Sequence, residues 1–210
     1  YAQWARSGFF QMVGVTIVNL SVLLAAVTFS HRQGRGWTAV RLLSGVLIAE
    51  SLVLLASAAW RMSLYVGAYG LSFKRLVTYW GMGMMALFFL AALWKLLRTD
   101  RSFCRLAFPI ALAGWVLLNC VPLDALVARD QVDRVLSGET AVLDVEYLLE
   151  DLSYDTLPQL ARLDGSRSVY TQEGKTTLEA LLTQRRSEAR AECSDWRAWN
   201  LSAWRASTDS

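Results

Sequence analysis

Four apolar stretches in the first 123 residues limit what this chain can fold into. Each is about 18 to 22 residues long, and at ~1.5 Å per residue such a helix crosses the ~30 Å hydrocarbon core of a bilayer. We place the spans at residues 8–29, 42–60, 76–97 and 106–123. Because backbone groups inside a bilayer must be hydrogen-bonded within the protein, the sequence predicts an all-α, polytopic transmembrane helix bundle.

Aromatic residues support these boundaries independently of hydropathy. Tryptophan prefers the headgroup level of a bilayer, because its ring is apolar and its N–H group is polar. Tryptophans lie near the predicted span ends, at Trp4, Trp37, Trp60, Trp80 and Trp94. This distribution indicates an aromatic belt at the membrane surfaces.

Charge divides the chain into two parts. Residues 1–123 carry 11 Lys or Arg against two acids, a net charge of +9, whereas residues 124–210 carry 10 bases against 16 acids, a net charge of −6. Bases that flank spans are usual in membrane proteins, and we favour that explanation over a nucleic-acid surface. We therefore expect a transmembrane domain over 1–123 and a small, acidic, mostly helical extramembrane domain over 124–210.

The bases also predict an orientation. Seven lie in the loops at 31–41 and 95–105, against six on the other side of the four spans. The positive-inside rule then places these loops in the cytoplasm and the acidic tail outside it. Since Tyr1 is not an initiator Met, we expect the chain to be the later part of a longer protein.

The connection between the second and third spans, residues 61–75, is too rich in aromatic and aliphatic side chains for a solvated loop. Arginines stand at both of its ends, and arginine side chains reach from such positions to the membrane surface. We interpret the segment as an interfacial elbow, in which residues 62–73 form a short helix or tight turn. Its candidate binding residues are Arg61, Tyr65, Tyr69 and Arg75.

A carboxylate, Glu50, lies near the middle of the second span. A charge at that depth costs ~2.5 to 3.5 kcal/mol, so we expect Glu50 to face protein or water and to have a polar partner. Asn19 and Ser21 lie at similar depth in the first span, and Thr78 and Tyr79 are further candidate donors. Glu50 with Asn19 is either a proton, cation or substrate site or a hydrogen-bonded clamp between helices, and we favour the clamp.

Motifs for metal, redox or catalytic chemistry are missing from the sequence. His31 is the sole histidine, and Cys104, Cys120 and Cys193 are too widely spaced for a CxxC pair. The run GMGMM at 81–85 indicates close helix packing rather than a cofactor site, and no Walker loop, GxGxxG or GxSxG occurs. We therefore expect no catalytic residue, no metal site and no cofactor.

The acidic tail shows apolar residues at helical spacing over 124–136, 144–152 and 175–192. Only SVYTQ, at 168–172, has β character. The tail is therefore predicted to be a small helical domain.

Three tryptophans within nine residues stand out at the end of the tail. They are candidates for partner contact, at Trp196, Trp199 and Trp204. This segment can dock on the membrane surface or on its own domain, and we favour packing on the domain, because aromatics at helical spacing usually serve contact.

Five pieces of the sequence carry a resemblance to a known family: YAQWARSGFFQMV, SAAWRMSLYVGAYGLSFKRL, PLDALVARDQV, LDVEYLLEDLSYDTLPQL and DWRAWNLSAWRA. They resemble the C-terminal portion of the bacterial membrane family called domain of unknown function 4173, which is related to 4153. The resemblance implies a polytopic protein of the bacterial inner membrane, and it implies no activity. One departure is that Asp130 and Gln131 stand where the family tends to have Tyr-Asn.

Three classes of function are compatible with the sequence. The first is a non-catalytic scaffold, sensor or complex subunit whose tail engages a protein partner or a second copy, in addition to the lipid bilayer. The alternative is a transporter or lipid-handling protein that uses Glu50 and the basic aromatic elbow, and the third is a membrane enzyme. We favour the first class, because the elbow offers mainly Arg and Tyr, which bind anions better than they catalyse.

Overall fold

The computed structural model describes residues 2–29, 35–98, 103–140, 143–171 and 174–208. The chain forms two compact units. The first, which we call the helical unit, comprises Tyr1–Tyr69 and Val77–Cys120. The second, the C-terminal unit, comprises Gly70–Leu76 and Val121–Ser210.

The helical unit confirms the predicted all-α class. Its four helices are α1 (Ala2–Phe29), α2 (Arg35–Tyr69), α3 (Phe73–Leu97) and α4 (Phe103–Cys120). Within the described residues three helical segments are long and apolar enough to cross a membrane: Gly36–Tyr69, Phe73–Leu97 and Phe103–Cys120. The described apolar part of α1, Val13–Phe29, is shorter. These helices indicate a multi-pass membrane protein.

The second helix continues well beyond the predicted end of its span at residue 60. Residues 61–69 contain no proline that would end the helix, and they include the good helix formers Arg61, Met62 and Leu64. The helix ends at Gly70, whose φ of 74° is the left-handed conformation that commonly stops helices. The elbow is therefore the end of α2 followed by a three-residue turn, not a separate short helix.

Two buried clusters hold the first three helices together. One brings Leu23 of α1 and Ile48 of α2 against Phe89 of α3, and all three side chains are almost fully buried. The other joins Leu55 of α2 to Met82 of α3. Many other described apolar side chains of these helices are exposed, for example Val18, Leu42 and Leu90, as expected of surfaces that face lipid.

The fourth helix approaches α3 through a glycine. The indole Nε1 of Trp80 donates a hydrogen bond to the carbonyl of Gly114 at 3.2 Å. A Cβ atom added at Gly114 would lie 2.7 Å from the terminal methyl carbon of Met84, well inside contact distance. Glycines 81 and 83 have open space instead, so the close packing expected of the GMGMM run occurs opposite Met84 and not at its glycines.

The C-terminal unit is a small helical domain with one hairpin. Its regular elements are α5 (Leu123–Leu136), α6 (Leu157–Leu160), β1 (Ser168–Thr171), β2 (Gly174–Thr177), α7 (Leu178–Ser194) and α8 (Leu201–Thr208). A π turn at Tyr147–Asp151 and a 3₁₀ turn at Tyr154–Thr156 join α5 to α6. The larger side chains that are fully buried in its core are Val127, Val132, Leu148, Leu160 and Leu178.

The hairpin corrects one helix boundary. The predicted helix over 175–192 begins at Leu178, because residues before it form β2, which pairs antiparallel with β1. Gly174, with a φ of 130°, starts β2, and the β-branched Thr176 and Thr177 suit a strand. The hydroxyl of Thr177 then caps α7 by accepting from the Ala180 N–H at 3.4 Å.

Replacing Gly114 by leucine should destabilise the helical unit by about 1 to 3 kcal/mol, because the side chain must displace Met84 from a packed site. Gly83→Leu is the matched control, since a Cβ there meets nothing within 4 Å. Adding Met84→Ala to Gly114→Leu should restore part of the loss. Thermal unfolding in detergent checks all three variants, and equal midpoints for the two leucine variants would contradict the close approach.

Candidate functional site

The turn between α2 and α3 is built into the C-terminal unit. Gly70–Leu76 belongs to that unit, although the chain on both sides of it belongs to the helical unit. Leu71 and Leu76 are partly buried and pack against the core of the C-terminal unit. The turn is therefore held by apolar burial as well as by the polar contacts described next.

Two consecutive side chains of α5 bind the backbone of Leu71. The carboxylate of Asp130 accepts a hydrogen bond from the Leu71 N–H at 2.7 Å. The Nε2 amide of Gln131 donates to the Leu71 carbonyl at 3.0 Å. Both polar groups of this residue are thus satisfied by side chains, where a regular helix would use its own backbone.

Further contacts fix the turn on either side of Leu71. The hydroxyl of Tyr147 accepts from the N–H of Phe73 at 3.2 Å, which satisfies one of the free donors at the start of α3. The guanidinium of Arg75 donates to the carbonyl of Gly70. We call Leu71 together with Asp130, Gln131 and Tyr147 the Leu71 clamp.

A basic side chain accompanies the clamp. Arg134, one turn after Asp130 on α5, places its Nε 3.8 Å from the Asp130 carboxylate and 3.7 Å from that of Glu139. The Arg134 side chain is only 20% exposed, so its attraction to Asp130 is less screened than that of a surface pair. Arg134 therefore helps to hold the Asp130 side chain in place next to the turn.

The sequence placed four candidate binding residues in the elbow, and the structure separates them. Arg75 joins the clamp region in the C-terminal unit, whereas Arg61, Tyr65 and Tyr69 lie on the last turns of α2. The rings of Tyr65 and Tyr69 contact each other at an angle of 40° with centroids 4.7 Å apart, and Arg61 is exposed. Glu50 and Arg61 are separated by ~16 Å along the axis of α2, so their side chains do not line one pocket.

Glu50 does not have the position that we expected. Asn19 donates to the hydroxyl of Ser51 at 3.0 Å, and Ser51 donates in turn to the carbonyl of Leu47 at 2.7 Å. Successive helix residues point about 100° apart, so with Ser51 turned towards α1 the neighbouring Glu50 turns away. Glu50 is exposed, and among the described residues its carboxylate has no hydrogen bond or ion pair. The polar clamp between α1 and α2 exists, but Ser51 forms it and Ser21 bonds only to its own helix, at Ile17.

The tryptophans of the tail also differ from expectation. Helix α8 packs on the core through Ala203 and Ala206, which are 0% and 3% exposed. The three tryptophans point outward, with exposed fractions of 81% for Trp196, 52% for Trp199 and 48% for Trp204. Alanines do the packing here because their small side chains let α8 lie close to its neighbours, which leaves no room for indoles between them.

A second polar cluster surrounds Tyr154. Its hydroxyl donates to Glu192 at 2.8 Å, the Arg185 guanidinium lies 4.7 Å from its ring centre, and burial raises the pKa of Tyr154 to about 12. This tyrosine therefore stays protonated and serves as a donor, not as a base. Burial also raises the pKa of Asp155, which with Arg205 lines a cavity of about 180 Å³.

Metal ligands do not cluster in the part of the chain that the structure describes. Within it no group of three or more His, Cys, Asp or Glu side chains is placed to hold an ion. The cysteines there are free thiols, exposed at Cys104 and Cys120 and half-buried at Cys193. His31 lies outside the described residues.

Comparison with protein families decides the affiliation of the chain. A family model described as "Domain of unknown function (DUF4153)" matches residues 1–163. The chain belongs to the DUF4153 family. The match includes α1 to α6 and the whole Leu71 clamp of this DUF4153 protein, but ends before the β-hairpin, α7 and α8. The sequence resemblance pointed to the related family 4173, whereas the model that matches is that of DUF4153.

Comparisons with curated proteins and with solved structures gave no significant match. The description of the DUF4153 family names no activity. Evidence on function therefore comes from the contacts of the chain itself.

Proposed function

We propose that this DUF4153 protein is a non-catalytic membrane component in which the C-terminal unit and the α2–α3 hairpin respond to each other, as in a sensor or a scaffold subunit. The observation that carries the proposal is the binding of both Leu71 backbone groups by Asp130 and Gln131. Two short hydrogen bonds from adjacent residues resist both translation and rotation of the turn relative to α5.

The covalent chain supplies the rest of the coupling. Tyr69 ends α2 directly before the clamped turn, and Phe73 begins α3 directly after it. A change in the C-terminal unit that moves α5 must either move the turn with it or break the hydrogen bonds to Leu71. Breaking them leaves partly buried polar groups without their partners, which costs up to about 1 kcal/mol each.

The chemistry of the clamp supports a structural role over catalysis. Asp130, Gln131 and Tyr147 each form a hydrogen bond to the backbone of the turn or of the start of α3. A general base or nucleophile needs an uncommitted atom facing substrate. These side chains hold a conformation, which is what a coupling element requires.

Asp130→Ala should uncouple the turn between α2 and α3 from helix α5. The Leu71 N–H then loses its acceptor, so amide hydrogen exchange over Gly70–Leu76 should accelerate. The exchange is measured by mass spectrometry on the full chain in nanodiscs. The core variant Leu160→Ala removes a fully buried side chain at a cost of about 2 to 5 kcal/mol. It should accelerate amide exchange at 62–69 in a chain that keeps Asp130, but not in a chain that also carries Asp130→Ala.

Two matched variants sharpen this experiment. Asp133→Ala removes a neighbouring α5 carboxylate that bonds Arg162 at 2.7 Å on the surface, and it should leave exchange in the turn unchanged. Asp130→Asn keeps an acceptor and should restore part of the protection. The proposal is refuted if Leu160→Ala accelerates exchange at 62–69 equally with and without Asp130.

Glu50 supports the view that the protein is a subunit of a larger assembly. Its carboxylate is exposed on α2 within a segment that is apolar enough to cross a membrane. Facing lipid there would cost ~2.5 to 3.5 kcal/mol, so we propose that a polar group of another helix, from a partner or a second copy, covers it.

Glu50→Leu should therefore dissociate the assembly without loosening the helical unit, whereas Glu50→Gln, which can still hydrogen-bond, should keep it. Particle mass in nanodiscs measures the assembly, and detergent thermal stability measures the unit. Leu90→Ala, a change at another exposed position, is the control and should affect neither. A wild-type particle with the mass of a single chain would contradict the proposal.

We further propose a location in the bacterial inner membrane, with the C-terminal unit outside the cytoplasm, and a relationship to the C-terminal portion of family 4173. The basic loops at 31–41 and 95–105 and the quoted sequence pieces support these finer assignments. A phosphatase that is active only outside the cytoplasm, fused to the C-terminus, should show activity. An inactive phosphatase together with an active cytoplasmic reporter at the same position would reverse the orientation.

A further inference from the structure

We propose that residues 196–205, at the start of α8 and just before it, form an anchor that binds the headgroup region of an anionic lipid bilayer. The first observation is the exposure of Trp196, Trp199 and Trp204 reported above. A domain that is surrounded by water on all sides rarely presents several large aromatic side chains in one short segment.

Helix α8 has an outward face that is apolar. Its buried positions, Ala203 and Ala206, point to the core. The exposed positions Leu201, Trp204 and Arg205 follow each other at spacings of three and one, and so share the opposite face of the helix. An amphipathic helix with its larger apolar residues turned away from its own core suits a second apolar environment.

Residues 196–205 are basic, because they include Arg197 and Arg205 and no acidic residue. The acids that precede them are hydrogen-bonded within the C-terminal unit. Glu192 accepts from the Tyr154 hydroxyl at 2.8 Å and from the Asn200 amide at 3.4 Å. Asp195 accepts from the backbone N–H of Arg197 at 3.0 Å, and Glu188 is bonded to Arg185 at 2.8 Å. The hydrogen bond from Arg185 holds the pKa of Glu188 below its ordinary value.

Exposed arginines are left to face outward beside the tryptophans. They are Arg190, Arg197 and Arg205, of which Arg205 also lines the cavity beside Asp155. The guanidinium of Arg197 lies 5.5 Å from the ring centre of Trp196, so an aromatic surface and a positive charge are presented together. Bilayer headgroups accommodate this pair of chemistries, because the indole ring reaches the acyl boundary while the arginine meets lipid phosphate.

The C-terminal unit is covalently joined to helices that are apolar enough to cross a membrane. The C-terminal unit resumes at Val121, directly after α4, one of the helices apolar enough to cross a membrane. Tethering makes the docking intramolecular, so weak contacts suffice for it. Anionic lipid should strengthen it further, because the charged residues within 196–205 are both arginines.

Spin labelling of the full chain tests the anchor. In a chain whose three cysteines are replaced by serine, a nitroxide at Leu201→Cys should be several-fold more accessible to oxygen than to a water-soluble nickel complex. The protein is reconstituted into vesicles of phosphatidylcholine mixed with phosphatidylglycerol. A nitroxide at Ser137→Cys, an exposed site after α5, is the aqueous control.

Two variants separate the contributions of rings and charges. Replacing the three tryptophans by alanine should give the Leu201 label the aqueous behaviour of the Ser137 label, with an unchanged thermal transition, because these side chains are not in the core. The double variant Arg190→Glu with Arg197→Glu should move the Leu201 label only part of the way towards aqueous behaviour. In this variant the accessibility of the label should be the same in vesicles with and without phosphatidylglycerol.

Two results would overturn the proposal. One is a label at Leu201 that is as aqueous as the label at Ser137 in both kinds of vesicle. The other is a label shielded from oxygen and nickel alike, because that pattern marks a protein contact and would assign the tryptophans to a protein partner.

Discussion

A break between two apolar helices releases backbone groups that need hydrogen-bond partners, and this requirement organises the structure. The left-handed Gly70 ends α2, and the next residues have no helix of their own to satisfy them. Asp130, Gln131 and Tyr147 supply the missing partners from the C-terminal unit. The turn therefore has this conformation only when the C-terminal unit is folded around it, and the core of that unit in turn includes Leu71 and Leu76.

Hydropathy was sufficient to predict the class of the fold, because a bilayer permits few alternatives to a helix. It was not sufficient for the end of α2, since Arg61 and Tyr65 mark a change of solvent and not a change of backbone conformation. Strand β2 was missed for a related reason. Its few residues reach strand geometry through pairing with β1, and a short polar segment gives no signal of its own.

The clamp could not be predicted from local patterns. Leu71 and Asp130 are 59 positions apart, and no spacing rule links a turn to a side chain at that distance. In the sequence, Asp130 and Gln131 were notable only because they replace the Tyr-Asn pair that is usual in family 4173. For Glu50 the depth was predictable and the rotation was not: one residue, about 100° of helix, decides whether Glu50 or Ser51 faces Asn19.

Two exposed groups of side chains differ in polarity from the surface on which they lie. Glu50 presents a carboxylate on an apolar helix, where hydrocarbon would penalise its charge. Trp196 and its neighbours present apolar rings on a unit whose other exposed residues are mostly polar. Either feature alone is costly unless something covers it, and the coverings must differ, because one requires a polar group within the membrane and the other an apolar one at its surface. The two proposals answer the two mismatches separately, with another helix covering Glu50 and the bilayer surface covering the tryptophans.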